Sequence, residues 1–363
     1  MDFIDLKSQQ ALIKDKIDHR IQTVLAHGQY VLGPEVREVE QVLADRTGVK
    51  HCITTASGTD SLLIALMALG VQAGDEVITV PYTWISTAEV IALVGATPVF
   101  IDICDDTWNM DASQLADAIT PKTKAIIPVG IYGQPADMRE INQIAEQHGI
   151  PVIEDAAQCY GSSHHGQPSG ALSQIGSTSF FPSKPLGCYG DGGALFTDDD
   201  TLAGVMRQIR VHGQEKKHHH PILGVNGRFD TIQAAVLLEK IAIFDDEIRK
   251  RNEVASAYTQ ALEASSLVVQ APVVKDGNTS VWAQYTVLAE NPADLQARLK
   301  AQDIPSVSYY AVPLHLQPVF ASLGHTKGDF PVTERVASQC LSLPMNPYLS
   351  TEDIEKVTQA LAK

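Results

Sequence analysis

Cysteine is scarce in this sequence. Its five cysteines are an odd number, lie far apart and form no C-x-x-C pair, which argues against both a disulfide framework and a zinc knuckle. Free thiols persist in a reducing compartment. We therefore expect a cytoplasmic protein.

Positive charge and long apolar runs are also in short supply. Lys and Arg number 27 against 43 Asp and Glu, a formal net charge of -16, and binding to nucleic acid or to an anionic membrane needs clustered cations. The negative net charge is still compatible with an anionic small substrate, because a pocket needs only a few local cations or helix N-termini to bind it. The apolar runs fall short of a membrane span, and the start MDFIDLKSQQ lacks the apolar segment of a signal peptide. We therefore expect neither nucleic acid nor a membrane as partner.

Short apolar runs alternate with helical patterns from residue 51 onward. Runs rich in valine and isoleucine predict strands in HCITTAS, EVITV, TPVFIDI, KAIIPVGIY and PVIEDAA. DSLLIALMAL and ADMREINQIAEQHG have helical spacing, and the second ends at Gly149 before Pro151. Strands that alternate with helices predict an α/β fold, with a mostly parallel sheet flanked by helices.

Beyond residue 200 the pattern changes to longer helical segments. The longest, residues 230–263, exceeds a typical globular helix and is charged in its second half, so we expect it to bridge two domains. A chain of 363 residues also exceeds the usual size of one domain. We place a large domain at residues 1–240 and a smaller C-terminal α+β domain at residues 241–363.

The segment PVIEDAAQ places two acids at the end of a buried strand. Ligands of open α/β sheets lie beyond the carboxyl ends of the strands, so Asp155 is placed to face a ligand. A carboxylate buried there needs a positive partner, and a protonated pyridine nitrogen would supply one. The alternative is an aspartate that caps the following turn.

The segment TSFFPSKPLGCYGDGGALF places Lys184 29 positions after Asp155 (184 minus 155), in an apolar stretch ahead of a glycine-rich turn. Desolvation lowers the pKa of a lysine toward the neutral amine that bonds to an aldehyde. A lysine in such a stretch can instead extend to water. The glycines are not a dinucleotide-binding fingerprint, because no G-x-G-x-x-G opens a helix here.

A third element is ASGTDSLLIALMAL, where a strand leads into Ser57, Gly58 and Thr59 at the start of an apolar helix. Free backbone N–H groups and the positive end of the helix dipole can hold a phosphate there, and Gly58 permits close approach. Alternatively, Ser57 or Thr59 serves only as the N-cap.

One ligand would use all three elements: an acid for a ring nitrogen, a lysine for an aldehyde and a helix start for a phosphate. In order along the chain, SGTDSL, PYTWIST, EDAAQ, SFFPSK, GDGGA and GVNGRFDTIQAA resemble the motifs of the DegT/DnrJ/EryC1/StrS family of sugar aminotransferases. The resemblance runs from FIDLKSQQ to SLPMNPYL. It implies a fold type I enzyme whose large domain binds pyridoxal 5′-phosphate.

The resemblance implies a role for each matched residue at the cofactor. Lys184 bonds to the aldehyde and shuttles a proton, and Asp155 pairs with the ring nitrogen. Gln158 lies beside the ring hydroxyl. Trp84 stacks on the ring, although ordinary core packing is an alternative for this side chain. The phosphate contacts are Gly58, Thr59, Ser179 and Asn226, the last supplied by the second subunit of a homodimer.

The resemblance also implies a site for a nucleotide-linked keto sugar. The residues matched to substrate contacts are Gly28, Tyr30, Ser183, Arg228, Tyr309 and Tyr310. The Arg228 guanidinium can hold a carboxylate or a diphosphate at two points, and its alternative role is a surface salt bridge. Tyr309 stands where relatives commonly have histidine, and Ala311 where proline is usual, which leaves the exact sugar open.

Within the family, FFPSKPLGCYGDGGA and FIDLKSQQALIKDKID look most like members that act on UDP-2-acetamido-2-deoxy-3-oxo-glucuronate. This implies glutamate as amino donor and a 3-amino sugar acid for surface polysaccharide as product. Amination at carbon 4 of a UDP- or dTDP-linked keto sugar is the alternative. A pyridoxamine-dependent dehydratase would replace Lys184 by histidine, and a non-catalytic sugar-sensing protein would lack Lys184 or Asp155. Both residues are present.

Histidines form two clusters, at residues 218–220 and at His164 and His165. Adjacent side chains point in different directions and no carboxylate motif accompanies them. We therefore expect solvated loops rather than metal sites.

Overall fold

The computed structural model describes residues 1–265 and 267–362. The strands are β1 (His51–Thr55), β2 (Glu76–Thr79), β3 (Thr97–Phe100), β4 (Thr123–Ile126), β5 (Ile153–Asp155), β6 (Ser163–His164), β7 (Gln167–Pro168), β8 (Ile175–Ser179), β9 (Gly193–Thr197), β10 (Val269–Gln270), β11 (Tyr285–Ala289) and β12 (Cys340–Leu343). The helices are α1 (Leu6–His27), α2 (Pro34–Thr47), α3 (Gly58–Ala68), α4 (Ser86–Leu93), α5 (Leu115–Ala118), α6 (Met138–His148), α7 (Asp200–Ile209), α8 (Thr231–Glu263), α9 (Pro292–Lys300), α10 (Pro331–Gln339) and α11 (Thr351–Ala362). The five predicted strands are confirmed as β1 to β5.

The central sheet has the strand order β1-β9-β8-β5-β4-β2-β3. Two isolated parallel bridges, Ile126 to Val152 and Val129 to Asp155, join β4 to β5. Strand β9 is antiparallel to both of its neighbours, and the other pairs are parallel. The α/β fold with a mostly parallel sheet is therefore confirmed.

Helices cover the sheet on both faces. Val77 packs in one core cluster with residues of α3, α4 and α7, whereas Ile78, the next residue, packs in another with α6. Successive side chains of a strand point to opposite faces, so a strand covered on both sides needs apolar residues at every position. This explains the continuous valine and isoleucine runs from which the strands were predicted.

The long helix α8 is continuous from Thr231 to Glu263, as predicted. Leu237 and Phe244, in its first half, pack with α2 in the core of the central sheet. Val254 and Tyr258, in its second half, pack with α9, α11 and the antiparallel sheet β10-β11-β12. The helix therefore joins two hydrophobic cores, and the domain boundary after residue 240 stays a prediction.

One expectation about the histidines is wrong. His164 is buried in β6, where its Nδ1 lies 2.6 Å from Oδ1 of Asn278. The β6-β7 hairpin has only two residues in each strand, too few to produce a recognisable period in the sequence. Residues 218–220 are exposed, as expected.

The five cysteines are all free. None of the helices in the described ranges is both long and apolar enough to cross a membrane.

Candidate active site

A cleft of about 400 Å³ opens at the carboxyl-terminal edge of the central sheet, the edge where ligands of open α/β sheets lie. Asp155 ends β5 and Ser179 ends β8, and the turn after β1 leads directly into α3. Ten of the residues predicted from the sequence line this cleft: Gly58, Thr59, Trp84, Asp155, Gln158, Ser179, Ser183, Lys184, Tyr309 and Tyr310.

Asp155 is only 5% exposed. Its Oδ2 accepts a hydrogen bond from Thr87 Oγ1 at 2.9 Å, and its Oδ1 accepts one from the backbone N–H of Ala157 at 3.1 Å. Burial raises the pKa of Asp155, whereas the two hydrogen bonds and the nearby Lys184 lower it. The bond from Ala157 shows that Asp155 also caps the turn after β5. The capping role and the position at the cleft therefore occur together.

Lys184 lies on the loop between β8 and β9 and is half-buried. The loop is held by its own backbone, since the N–H of Lys184 donates to the carbonyl oxygen of Phe181 at 2.8 Å. Burial lowers the pKa of Lys184, and the charge of Asp155 acts in the opposite direction. The amine is therefore more often neutral than that of a surface lysine, and an acid stabilises its charged form.

The start of α3 meets the end of β8 at the cleft. Ser57 is the N-cap, because its Oγ accepts a hydrogen bond from the backbone N–H of Asp60 at 3.0 Å. The N-cap alternative is thus confirmed for Ser57, and the first N–H groups of the helix still have no intrahelical acceptor. A Cβ on Gly58 would lie 2.6 Å from Cβ of Ser179. Only glycine allows this close approach of the two elements.

Gln158 is fixed in the cleft wall by both ends of its amide. Its Oε1 accepts a hydrogen bond from the backbone N–H of Tyr132 at 3.1 Å, and its Nε2 donates to the Tyr310 hydroxyl at 3.3 Å. Burial raises the pKa of Tyr310, so its hydroxyl stays protonated.

Trp84 is 56% exposed, and its ring centroid lies 6.1 Å from that of Tyr310. Core packing of Trp84, the alternative drawn from the sequence, is therefore wrong. The indole presents an accessible aromatic face to the cleft.

Four predicted contact residues lie outside this cleft: Gly28, Tyr30, Asn226 and Arg228. Their two segments are neighbours, since the N–H of Thr231 donates to the carbonyl oxygen of Tyr30 at 2.9 Å. Arg228 forms no salt bridge with any residue that the structure describes, and its Nε is buried there without a hydrogen-bond partner. The salt-bridge alternative for Arg228 is therefore wrong.

Five polar residues of the cleft wall were missed from the sequence: Thr83, Ser86, Thr87, Asp191 and Gln284. Thr87 lies three positions after Trp84, on the first turn of α4, and that helical spacing could have revealed it. Asp191 belongs to the GDGGA motif, which was matched to the family without a role for this residue. Gln284 comes from the C-terminal part of the chain, and no local pattern marks it.

The cleft suits pyridoxal phosphate by shape and by donor set. Asp155 is a buried carboxylate that needs a cation, and Lys184 is an amine with a lowered pKa. Gly58 leaves space at a helix N-terminus, which favours a phosphate. Trp84 adds a flat aromatic surface at the same cleft.

The sequence model of the DegT/DnrJ/EryC1/StrS aminotransferase family matches residues 11–362. The chain belongs to this family. Aminotransferases of the family use pyridoxal phosphate, and pyridoxamine phosphate is bound in solved structures of the same fold. The expected cofactor and the fold type I architecture are confirmed.

Relatives within the family match along nearly the whole chain. The UDP-2-acetamido-2-deoxy-3-oxo-D-glucuronate aminotransferase of Pseudomonas aeruginosa is 54% identical, with 99% of each chain covered. A pleiotropic regulatory protein of Geobacillus stearothermophilus is 45% identical, with 99% of this chain and 97% of the relative covered. A solved DegT DnrJ EryC1 StrS aminotransferase from Brucella abortus has a TM-score of 0.96 at 46% identity, with 99% of this chain and 98% of that chain covered.

Proposed function

We propose that this chain transfers the amino group of glutamate to carbon 3 of UDP-2-acetamido-2-deoxy-3-oxo-glucuronate. The observation that carries the proposal is the 54% identity, over 99% of both chains, to the Pseudomonas aminotransferase of that name. The product would be a 3-amino sugar acid for surface polysaccharide, such as the O antigen of lipopolysaccharide. The free cysteines are compatible with the cytoplasm as the site of the reaction.

Bound pyridoxal phosphate carries the amino group between donor and acceptor and withdraws electrons from the carbon that loses its proton. We assign its phosphate to the N–H groups of Gly58 and Thr59 and to the Ser179 hydroxyl, which meet at the start of α3. Trp84 would cover one face of the ring. Gln158, held by Tyr132 and Tyr310, would lie at its hydroxyl edge.

Lys184 Nζ is assigned as the proton carrier. Burial favours its neutral form, which would take a proton from the donor carbon, and the charge of Asp155 stabilises the protonated amine until it gives that proton to the cofactor carbon. With the sugar acceptor, the same amine would move a proton from the cofactor carbon to the sugar carbon. Asp155 is assigned to the ring nitrogen. Thr87 and the Ala157 N–H orient its carboxylate, and a cation beside it offsets the cost of burying the negative charge.

The proposal includes a homodimer that completes the site. Asn226 and Arg228 lie outside the cleft of their own chain, and the loop before them exposes Leu223, which is 87% accessible. Phe181, in the cleft wall, is 50% accessible. Exposed apolar residues beside a functional cleft favour coverage by a partner chain, and the partner's loop would then bring Asn226 and Arg228 to phosphate and sugar.

The test is to offer the purified enzyme UDP- and dTDP-linked 3-oxo and 4-oxo sugars with glutamate and to measure 2-oxoglutarate. We expect turnover of the UDP-linked 3-oxo-glucuronate and loss of turnover and of the yellow cofactor absorbance in Lys184→Ala. Lys300→Ala, at an exposed lysine of α9, should retain both and serves as the matched control. Turnover confined to 4-oxo sugars would refute the proposed substrate.

A regulatory role without catalysis is the second candidate, because one relative is named a pleiotropic regulatory protein. Lys184 and Asp155 in one cleft disfavour it, since a protein that only senses a sugar needs neither a proton-carrying amine nor a buried acid. Nucleotide-sugar binding without any release of 2-oxoglutarate would favour this candidate instead.

A further inference from the structure

Gln284 lies on the wall between the active-site cleft and a second, smaller cavity. It lines the cleft together with Lys184 and Tyr310, and it lines the smaller cavity together with Trp108. The smaller cavity measures about 20 Å³, which is room for about one water molecule.

Two buried atoms of complementary chemistry belong to this wall. The indole Nε1–H of Trp108 can only donate, and Oε1 of Gln284 can only accept. Neither atom has a hydrogen-bond partner within residues 1–265 and 267–362. An unpaired buried donor and an unpaired buried acceptor are both unfavourable, and the cavity that Trp108 and Gln284 share has room for one water that would accept from the indole N–H and donate to Oε1.

The backbone around the smaller cavity is held in unusual conformations. Trp108, Tyr132 and Trp282 have φ angles of 60°, 58° and 49° and all line this cavity. The left-handed region is unfavourable for residues with bulky side chains, and such strain clusters at functional sites. The N–H of Gln284 donates to the carbonyl oxygen of Tyr132 at 3.3 Å, so this strained framework sets the position of Gln284.

We infer that Gln284 is a specificity-determining residue for the keto sugar and that Trp108 is its positioning residue. A water that bridges Oε1 to the indole N–H would hold the amide so that the two N–H groups of Nε2 are directed to the cleft, which Gln284 also lines. Donors at that point select an oxygen that only accepts hydrogen bonds, either the carboxylate of a uronate or the carbonyl of an acetamido group. The inference rests on the proposed function, because it concerns the sugar acceptor in the same cleft.

The test compares Gln284→Glu, Gln284→Met and Trp108→Phe, with Gln302→Met, at an exposed glutamine, as the matched control. We expect KM for the keto sugar to rise about 10- to 100-fold in both Gln284 variants, the range for loss of a hydrogen bond to a charged group. Conversion of the cofactor by glutamate alone should change less than twofold. Trp108→Phe should raise the same KM by a smaller factor and have no further effect in the Gln284→Met background.

Two matched substrates identify the oxygen. If Gln284 binds the carboxylate, the KM values of wild type and Gln284→Met should become nearly equal for a sugar with a hydroxymethyl group in place of the carboxylate. If Gln284 binds the acetamido carbonyl, the two KM values should become nearly equal for a sugar with a hydroxyl in place of the acetamido group. An unchanged KM for the keto sugar in both Gln284 variants would overturn the inference. So would an equal loss of activity in the reaction with glutamate and in the reaction with the sugar.

Calorimetric binding of the UDP-linked amino sugar separates this inference from the proposed function. Weaker binding to Gln284→Met than to wild type supports the role of Gln284 even if the wild type aminates a different nucleotide-linked sugar, in which case the same comparison is made with that sugar. A wild type that neither binds nor converts any nucleotide sugar refutes both.

Discussion

Replacing Gly58 by alanine should weaken cofactor binding, because the added methyl group would force apart two elements of the active-site cleft. The new Cβ would lie 2.6 Å from Cβ of Ser179 and 3.1 Å from its Oγ, whereas carbon atoms in contact prefer about 3.5–4.0 Å. The start of α3 and the end of β8 must therefore separate by about 1 Å. Overpacking of this kind costs about 1–3 kcal/mol, and the better helix propensity of alanine offsets up to about 1 kcal/mol.

A net loss of about 1–2 kcal/mol corresponds to a Kd for pyridoxal phosphate raised about 5- to 30-fold, because the same two elements supply the phosphate contacts. Absorbance titration of the apoenzyme measures Kd, and thermal denaturation measures stability. Gly204→Ala is the control, since a Cβ there meets nothing within 4 Å in α7, and it should stabilise the fold by about 0.5–1 kcal/mol. An unchanged Kd and an unchanged Tm in Gly58→Ala would show that the start of α3 and the end of β8 do not meet as closely as described.

The other predictions concern the acids at the end of β5. Thr87→Val removes the 2.9 Å hydrogen bond to Asp155, so kcat should fall about 10- to 100-fold while Thr87→Ser stays near wild type; equal rates in the two variants would contradict the orienting role. Burial raises the pKa of Glu154 to about 7 from an ordinary value of 4.5, so the folded state binds more protons than the unfolded state between these values and the free energy of unfolding falls as pH rises. Glu154→Gln keeps an acceptor for the N–H groups of Gly170 and Leu172 and should remove this fall, raising stability at pH 8 by up to about 3 kcal/mol. Denaturant unfolding at pH 5 and pH 8 measures the free energy of unfolding of both proteins. An equal change of this free energy with pH in the variant and in the wild type would contradict the prediction.

Strands and the cofactor motifs were predictable because they rest on local rules. A buried parallel strand needs apolar residues at successive positions, and this produced β1 to β5 with Asp155 at a strand end. The start of α3 has a capping serine and a glycine in adjacent positions, which a sequence displays directly. Short pairings such as β6-β7 escaped prediction, and so did the burial of His164, because two residues carry no period.

The sequence by itself determined the α/β class, the long helix α8 and the motif residues Asp155 and Lys184, since each depends on neighbours within a few positions. Only the tertiary structure decided that Thr87 orients Asp155, that Trp84 faces the cleft and that Gln284 joins it from about 100 positions beyond Lys184. Such contacts arise when distant segments pack against one another, and no local propensity encodes them. The position of Gln284 is set by a backbone hydrogen bond to Tyr132, a partner that can be identified only once the chain has folded.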